Sequence, residues 1–149
     1  MKILLVEDNH FKREKIIEFV KQFSNMTVLE AASYNMGLTL ATADKFDLII
    51  LDMSMPTFDR TEAENGGRFR VLGGKEIATR LKKQNKLSPF VVLTGYSNFS
   101  DGRDKLSLAQ INDLLAMFGD DYKGTIFFDS ASSVWKEELT SVIENLPND

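Results

Sequence analysis

The chain contains no cysteine, which excludes disulfide frameworks, zinc-thiolate sites and thiol catalysis. Only 3 of its 149 residues are proline, and a content of 43% hydrophobic and 27% charged residues is that of a soluble globular chain, not a disordered or low-complexity one. Long apolar runs are absent too. The N-terminal stretch Ile3 to Val6 is cut off by Glu7 and Asp8, far short of a secretory segment or a membrane span. Positive charge is in deficit, with 18 Lys and Arg against 22 Asp and Glu, and it is scattered along the chain. No stripe of positive potential is available for a phosphate backbone, so neither nucleic acid nor membrane is expected as a direct ligand, and a cytoplasmic location is expected. The length allows one domain over residues 1–149, with no chain to spare for an output domain. A domain of that size buries roughly 70% of its unfolded surface and needs no metal to hold its core.

What is present is an alternation. Short apolar runs rich in Ile, Leu, Val and Phe recur at Ile3–Val6, Thr27–Leu29, Leu48–Leu51, Phe90–Leu93 and Thr125–Phe128. Their lack of polar alternation predicts strands buried on both faces. Helical periods lie between them. Ile16, Phe19, Val20 and Phe23 fall on one face of a first helix, and Lys12, Arg13, Glu18 and Lys21 are read as its solvent face. Ser33 is placed to cap a second helix carrying Met36 and Leu40, and Lys75 to Asn85 reads as a third with Ile77, Ala78 and Leu81. Ser107 with Gln110 forms a capping-box pattern ahead of Leu108, Ile111, Leu115 and Phe118, and Gly119 ends that helix. Ser132 and Ser133 open a last helix bearing Val134, Leu139, Val142, Ile143 and Leu146, stopped by Pro147.

Five strand–helix units predict an α/β fold: a doubly wound, five-stranded parallel sheet with helices on both faces. Long loops are expected at about 57–74 and 95–106. Ligands of such folds sit at the carboxyl ends of the strands. At those ends stand Glu7 and Asp8, Asp52, and Thr94. If the first and third strands are neighbours, three carboxylates converge, and their repulsion calls for a cation. An all-oxygen site with open water positions suits Mg2+. Acidic residues at strand-to-helix junctions also serve merely as caps and turns, but three separate strand ends carrying Glu7-Asp8, Asp52 and Thr94 exceed what capping requires.

The runs Lys2-Ile-Leu-Leu-Val-Glu-Asp-Asn9, Leu48-Ile-Ile-Leu-Asp-Met-Ser-Met-Pro56 and Phe90-Val-Val-Leu-Thr-Gly-Tyr96 resemble, in order and over nearly the whole chain, the receiver domain of bacterial two-component response regulators. The resemblance implies a flavodoxin-like strand order 2-1-3-4-5. It implies that Asp52 accepts a phosphoryl group from a histidine kinase or phosphotransfer protein. Asp8 and Asp52 would hold Mg2+ directly, Glu7 through a water, with the backbone carbonyl of Ser54 as a further ligand, and Thr94 would bind a phosphoryl oxygen. The chemistry expected is self-phosphorylation and dephosphorylation only, with signalling by docking on a downstream protein that the sequence does not identify.

The sequence departs from that family at the fifth strand. The family's lysine there aligns with Phe128, the proline after it with Asp129, and the switch aromatic with Thr125. Two long loops start at the same rim, so Arg68, Arg70 or Lys75 from the first, or Arg103 or Lys105 from the second, could replace the missing cation; solvated loops are the plainer expectation. His10 is expected at the surface, and Trp135, Phe127 and Phe128 in core packing. Three functions compete: a stand-alone phosphorylatable receiver, a pseudo-receiver that binds partners without switching by phosphorylation, and a phosphohydrolase using Asp52. The last is disfavoured because Ser54 stands where haloacid-dehalogenase-type phosphatases need a second aspartate.

Overall fold

The apolar runs do become the strands of one sheet. In a computed structural model, which describes residues 1–101 and 104–147, β1 (Lys2–Val6), β2 (Thr27–Ala31), β3 (Leu48–Leu51), β4 (Phe90–Thr94) and β5 (Tyr122–Phe127) are all parallel, in the order 2-1-3-4-5. This is the expected doubly wound arrangement. β1 lies between β2 and β3, with Leu4 opposite both Leu29 and Ile49. β5 begins three residues before the apolar run that announces it, since Tyr122 already pairs with Phe90.

Alternate strand residues feed two separate cores. Leu4, Val6, Ile49, Leu51, Phe90 and Val92 point to one face and meet Ala41 of α2 (Tyr34–Ala43), Ile77 and Leu81 of α3 (Gly73–Lys83), and Ile111 and Leu115 of α4 (Leu108–Leu115). Ile3, Leu5, Leu48, Ile50, Val91 and Leu93 point to the other. There they meet Ile16 and Val20 of α1 (His10–Val20) and Leu139 and Ile143 of α5 (Val134–Glu144). Burial on both faces is why the strand sequences show no polar alternation.

Caps set where the helices begin. The side chains of Asn9, Ser33 and Ser107 accept the backbone N–H of Lys12, Met36 and Gln110 respectively, and Gln110 returns the bond to the N–H of Ser107. The Ser132 hydroxyl accepts the N–H of Val134 at the start of α5. α4 stops at Leu115, earlier than Gly119 suggests. A 3-10 turn, Ala116–Asp121, continues the chain, with Gly119 at φ 66°. α3 starts two residues before Lys75, at Gly73.

Both expected loops contain paired strands. Met55–Pro56 pairs antiparallel with Phe69–Arg70, and Asn98–Asp101 with Asp104–Ser107. The segment 95–106 is thus mainly a hairpin rather than a loop, fastened by Phe99, which is buried. Among the described residues no helix is long and apolar enough to cross a membrane.

Candidate functional site

The strand register assembles the acidic rim. Val6 is opposite Leu51, so the residues that follow, Glu7 and Asp52, leave the sheet side by side. Backbone bonds hold both: the N–H of Asp52 donates to the Val6 carbonyl at 3.1 Å and that of Glu7 to the Ala31 carbonyl at 2.9 Å. Glu7, Asp8 and Asp52 each place a carboxylate oxygen within 4.8 Å of the others. Glu7 and Asp52 are only 2% and 4% exposed.

Crowding and burial leave an electrostatic signature. The Glu7 carboxyl is pushed up to about 7, first by loss of water and then by the neighbouring Asp52 charge. Burial likewise raises the Asp8 carboxyl, opposed chiefly by Arg60, whose Nη1 lies 3.2 Å from Asp8 Oδ2. Asp52 has two partners of its own. Its Oδ1 accepts the N–H of Met53 at 2.7 Å and its Oδ2 lies 3.2 Å from Lys12 Nζ. Glu7 Oε2 accepts the N–H of Asn9 at 3.0 Å. Glu7 Oε1 is 2.5 Å from Lys12 Nζ but is buried without an aligned hydrogen-bond donor.

This donor set fits a divalent cation. Three carboxylates present only oxygen, one buried carboxylate oxygen has no aligned hydrogen-bond donor, and the rim opens into a cleft of about 630 Å³. Mg2+ suits such an arrangement because it retains several waters and accepts one or two carboxylates directly.

The other expected site residues fall nearby with different roles. Ser54 lines the cleft and its hydroxyl donates to the Val71 carbonyl at 2.6 Å, tying the chain after Asp52 to the start of α3. Thr94 ends β4 and is fully buried; its hydroxyl accepts the N–H of Tyr96 at 3.2 Å. Asp129 lines the cleft while its Oδ1 accepts the N–H of Ala131, making a turn ahead of α5 without capping that helix. His10 is exposed, with Nδ1 3.3 Å from Arg13 Nη2. Phe128 and Trp135 pack in the core, their ring centroids 5.0 Å apart, whereas Phe127 is exposed.

The described loop cations named from the sequence do not reach the rim. Arg70 pairs with Glu76 at 2.9 Å and lies over the Tyr34 ring, and Arg68 and Lys75 line the same separate groove. Lys105 is exposed outside the cleft, and Arg103 lies outside the described residues. Among the described residues the cations lining the cleft are Arg60 and Lys12. Lys12 corrects the helix reading: it is buried, not on the solvent face. A signal for it existed. Extending the apolar stripe back four residues from Ile16 lands on Lys12, because residues four apart share a helix face.

An open five-stranded parallel sheet of order 2-1-3-4-5 with an acidic pocket at its carboxyl rim defines a doubly wound α/β domain with a candidate cation site at the strand ends. The family model for the response regulator receiver domain matches residues 3–116, and the chain belongs to that family. It is 29% identical to the Detocs response regulatory protein DtcB of Enterobacter cloacae, over 98% of this chain and all of that protein. It is 25% identical to the uncharacterized protein y4jR of Sinorhizobium fredii, over 93% of this chain and 94% of that one. In fold it is similar to the response regulator TrrA of Thermotoga maritima, solved with Mg2+ and BeF, at a TM-score of 0.63 and 20% identity, covering 95% of this chain and 97% of that one.

Proposed function

We propose that this receiver accepts a phosphoryl group on Asp52 from a histidine kinase or phosphotransfer protein and signals by docking on another protein. The observation that carries the reading is the convergence of the Glu7, Asp8 and Asp52 oxygens within 4.8 Å at an open cleft. In the reaction an Asp52 carboxylate oxygen forms a bond to phosphorus as the P–N bond of phosphohistidine breaks, the electron pair leaving on the imidazole nitrogen. Glu7, Asp8 and Asp52, with the Ser54 carbonyl, would hold Mg2+, which supplies charge neutralisation for the phosphoryl oxygens. The chain turns over no separate substrate in this reading; water later releases phosphate and restores the carboxylate. Thr94, at the end of the strand beside β3, would turn its hydroxyl from the Tyr96 N–H to a phosphoryl oxygen.

The docking part draws support from one surface. Leu114 of α4, Met117 of the following turn, Phe127 of β5 and Val134 of α5 are large, apolar and exposed, and these elements lie at the β5 edge of the sheet, α4 on one face and α5 on the other. A cytoplasmic location follows from a kinase partner of this kind.

Intact mass after incubation with Mg2+ and acetyl phosphate tests the reading. One added phosphoryl group, lost in Asp52→Asn and in EDTA, is expected. An unchanged mass, also with a cognate kinase, would leave a pseudo-receiver that binds partners without this chemistry.

A further inference from the structure

Phe128 stands where the family carries its fifth-strand lysine, yet the site holds an ammonium group. We propose that Lys12, from the first turn of α1, is the residue that neutralises the phosphoryl group on Asp52. The inference deepens the proposed function and rests on Asp52 being the acceptor.

Three oxygens surround Lys12 Nζ: Glu7 Oε1 at 2.5 Å, Asp52 Oδ2 at 3.2 Å and the Leu93 carbonyl at 2.7 Å. These come from the ends of β1, β3 and β4, the three strands that frame the site. The amine therefore lies at the acceptor carboxylate and on the carbonyl of the residue that precedes Thr94. At 6% exposure it has lost its water, and burial of an ammonium is tolerated only where opposite charge and hydrogen bonds compensate.

Phe128 fits the same arrangement. Its ring centroid is 5.7 Å from Lys12 Nζ, and it packs against Trp135. A phenyl face attracts a cation, whereas a lysine at 128 would bring a second ammonium toward the first. The aromatic residue at 128 and the buried lysine at 12 are thus compatible, with positive charge reaching the site from the first helix and not from the fifth strand. Arg60 does not serve the same purpose. It is exposed and is held on Asp8.

The Leu93 carbonyl anchors the amine, so that on phosphorylation Nζ moves from Asp52 Oδ2 to a phosphoryl oxygen while keeping one fixed partner. Positive charge there stabilises the charge spread over the phosphoryl oxygens in transfer.

The test compares wild type, Asp52→Asn, Lys12→Gln and the double variant Lys12→Gln/Phe128→Lys. All are incubated with Mg2+ and acetyl phosphate and followed by intact mass, with Mg2+ affinity measured separately by calorimetry. Lys12→Gln is expected to label at least tenfold more slowly while binding Mg2+ as tightly as wild type or more so. The double variant is expected to recover labelling. Labelling of Lys12→Gln at the wild-type rate overturns the assignment of Lys12 and leaves Asp52 standing; a wild type that gains no phosphoryl group, or gains it equally in Asp52→Asn, overturns both. A second measurement needs no variant to fold. In wild type labelled with 13C at the lysine ε-carbons, Mg2+ and beryllofluoride, a phosphoryl mimic, are expected to shift the Lys12 signal, and an unmoved signal rejects the contact.

Discussion

Lys12 Nζ and Asp52 Oδ2 lie 3.2 Å apart in the floor of the cleft, both nearly shielded from water. Truncating the lysine leaves Asp52 and Glu7 buried without their counter-ion. Breaking a buried pair from one side costs about 3–5 kcal/mol. Lys12→Met is therefore expected to be destabilised by that order in EDTA, as read by urea unfolding, and to regain much of the loss in millimolar Mg2+. Equal unfolding midpoints for the two proteins in EDTA would show that the pair contributes nothing net.

Glu7 makes metal-free stability depend on pH in an unusual direction. Its folded carboxyl is raised from 4.5 to about 7, so between those values the folded state holds a proton that the unfolded state has released. Stability from this group is present below about 4.5 and is lost as pH rises to 7, the reverse of a salt-bridged carboxylate. Unfolding in EDTA at pH 5 and pH 7 should show the slope. Glu7→Gln should flatten it, because an amide does not titrate.

Gly74 is expected to be intolerant of alanine. A Cβ there would sit 2.6 Å from the Asp52 carbonyl oxygen and 3.3 Å from the Met53 Cα, both rigid backbone. The N–H of Gly74 also donates to the Met53 carbonyl at 2.9 Å. Overpacking of this kind costs about 1–3 kcal/mol. Since the atoms that must yield carry the acceptor, Gly74→Ala should slow phosphoryl acceptance as well as lower the melting temperature. Loss of stability with unchanged labelling would separate the two effects.

Arg60 is the cation placed to compete for Asp8. The pair is exposed on the arginine side, and such pairs contribute about 0–1 kcal/mol. Arg60→Ala should leave stability within that range and tighten Mg2+ binding by at most a few fold, since Asp8 no longer has to release a guanidinium. Weakened Mg2+ binding on titration calorimetry would assign Arg60 a supporting role instead.

Much of this molecule is written locally. Continuous runs such as Leu48–Leu51 announce strands buried on both faces, and Ser107 with Gln110 announces a helix start, because burial and capping depend on neighbours a few residues away. The acidic residues at the ends of those runs could likewise be placed at one rim as soon as the strands were known to be parallel. Register then brings Glu7 beside Asp52, a relationship that rests on the pairing of Val6 with Leu51.

Other features were decided only by tertiary structure. The segment 95–106 has no alternation strong enough to declare a hairpin; it pairs because Phe99 finds a place in the core. Lys12 is the sharper case. A charged residue in the first turn of an amphipathic helix is ordinarily solvated, and hydropathy assigns it to the outer face. It turns inward because carboxylates from two strands and a carbonyl from a third meet at the one point its Nζ can reach. The sequence by itself determined the strands, the helix starts and the acidic residues at the rim. Which cation faces them was settled by a carboxylate and a backbone carbonyl, 40 and 81 residues from Lys12 along the chain, since electrostatic partners are chosen by distance in space and not by position in sequence.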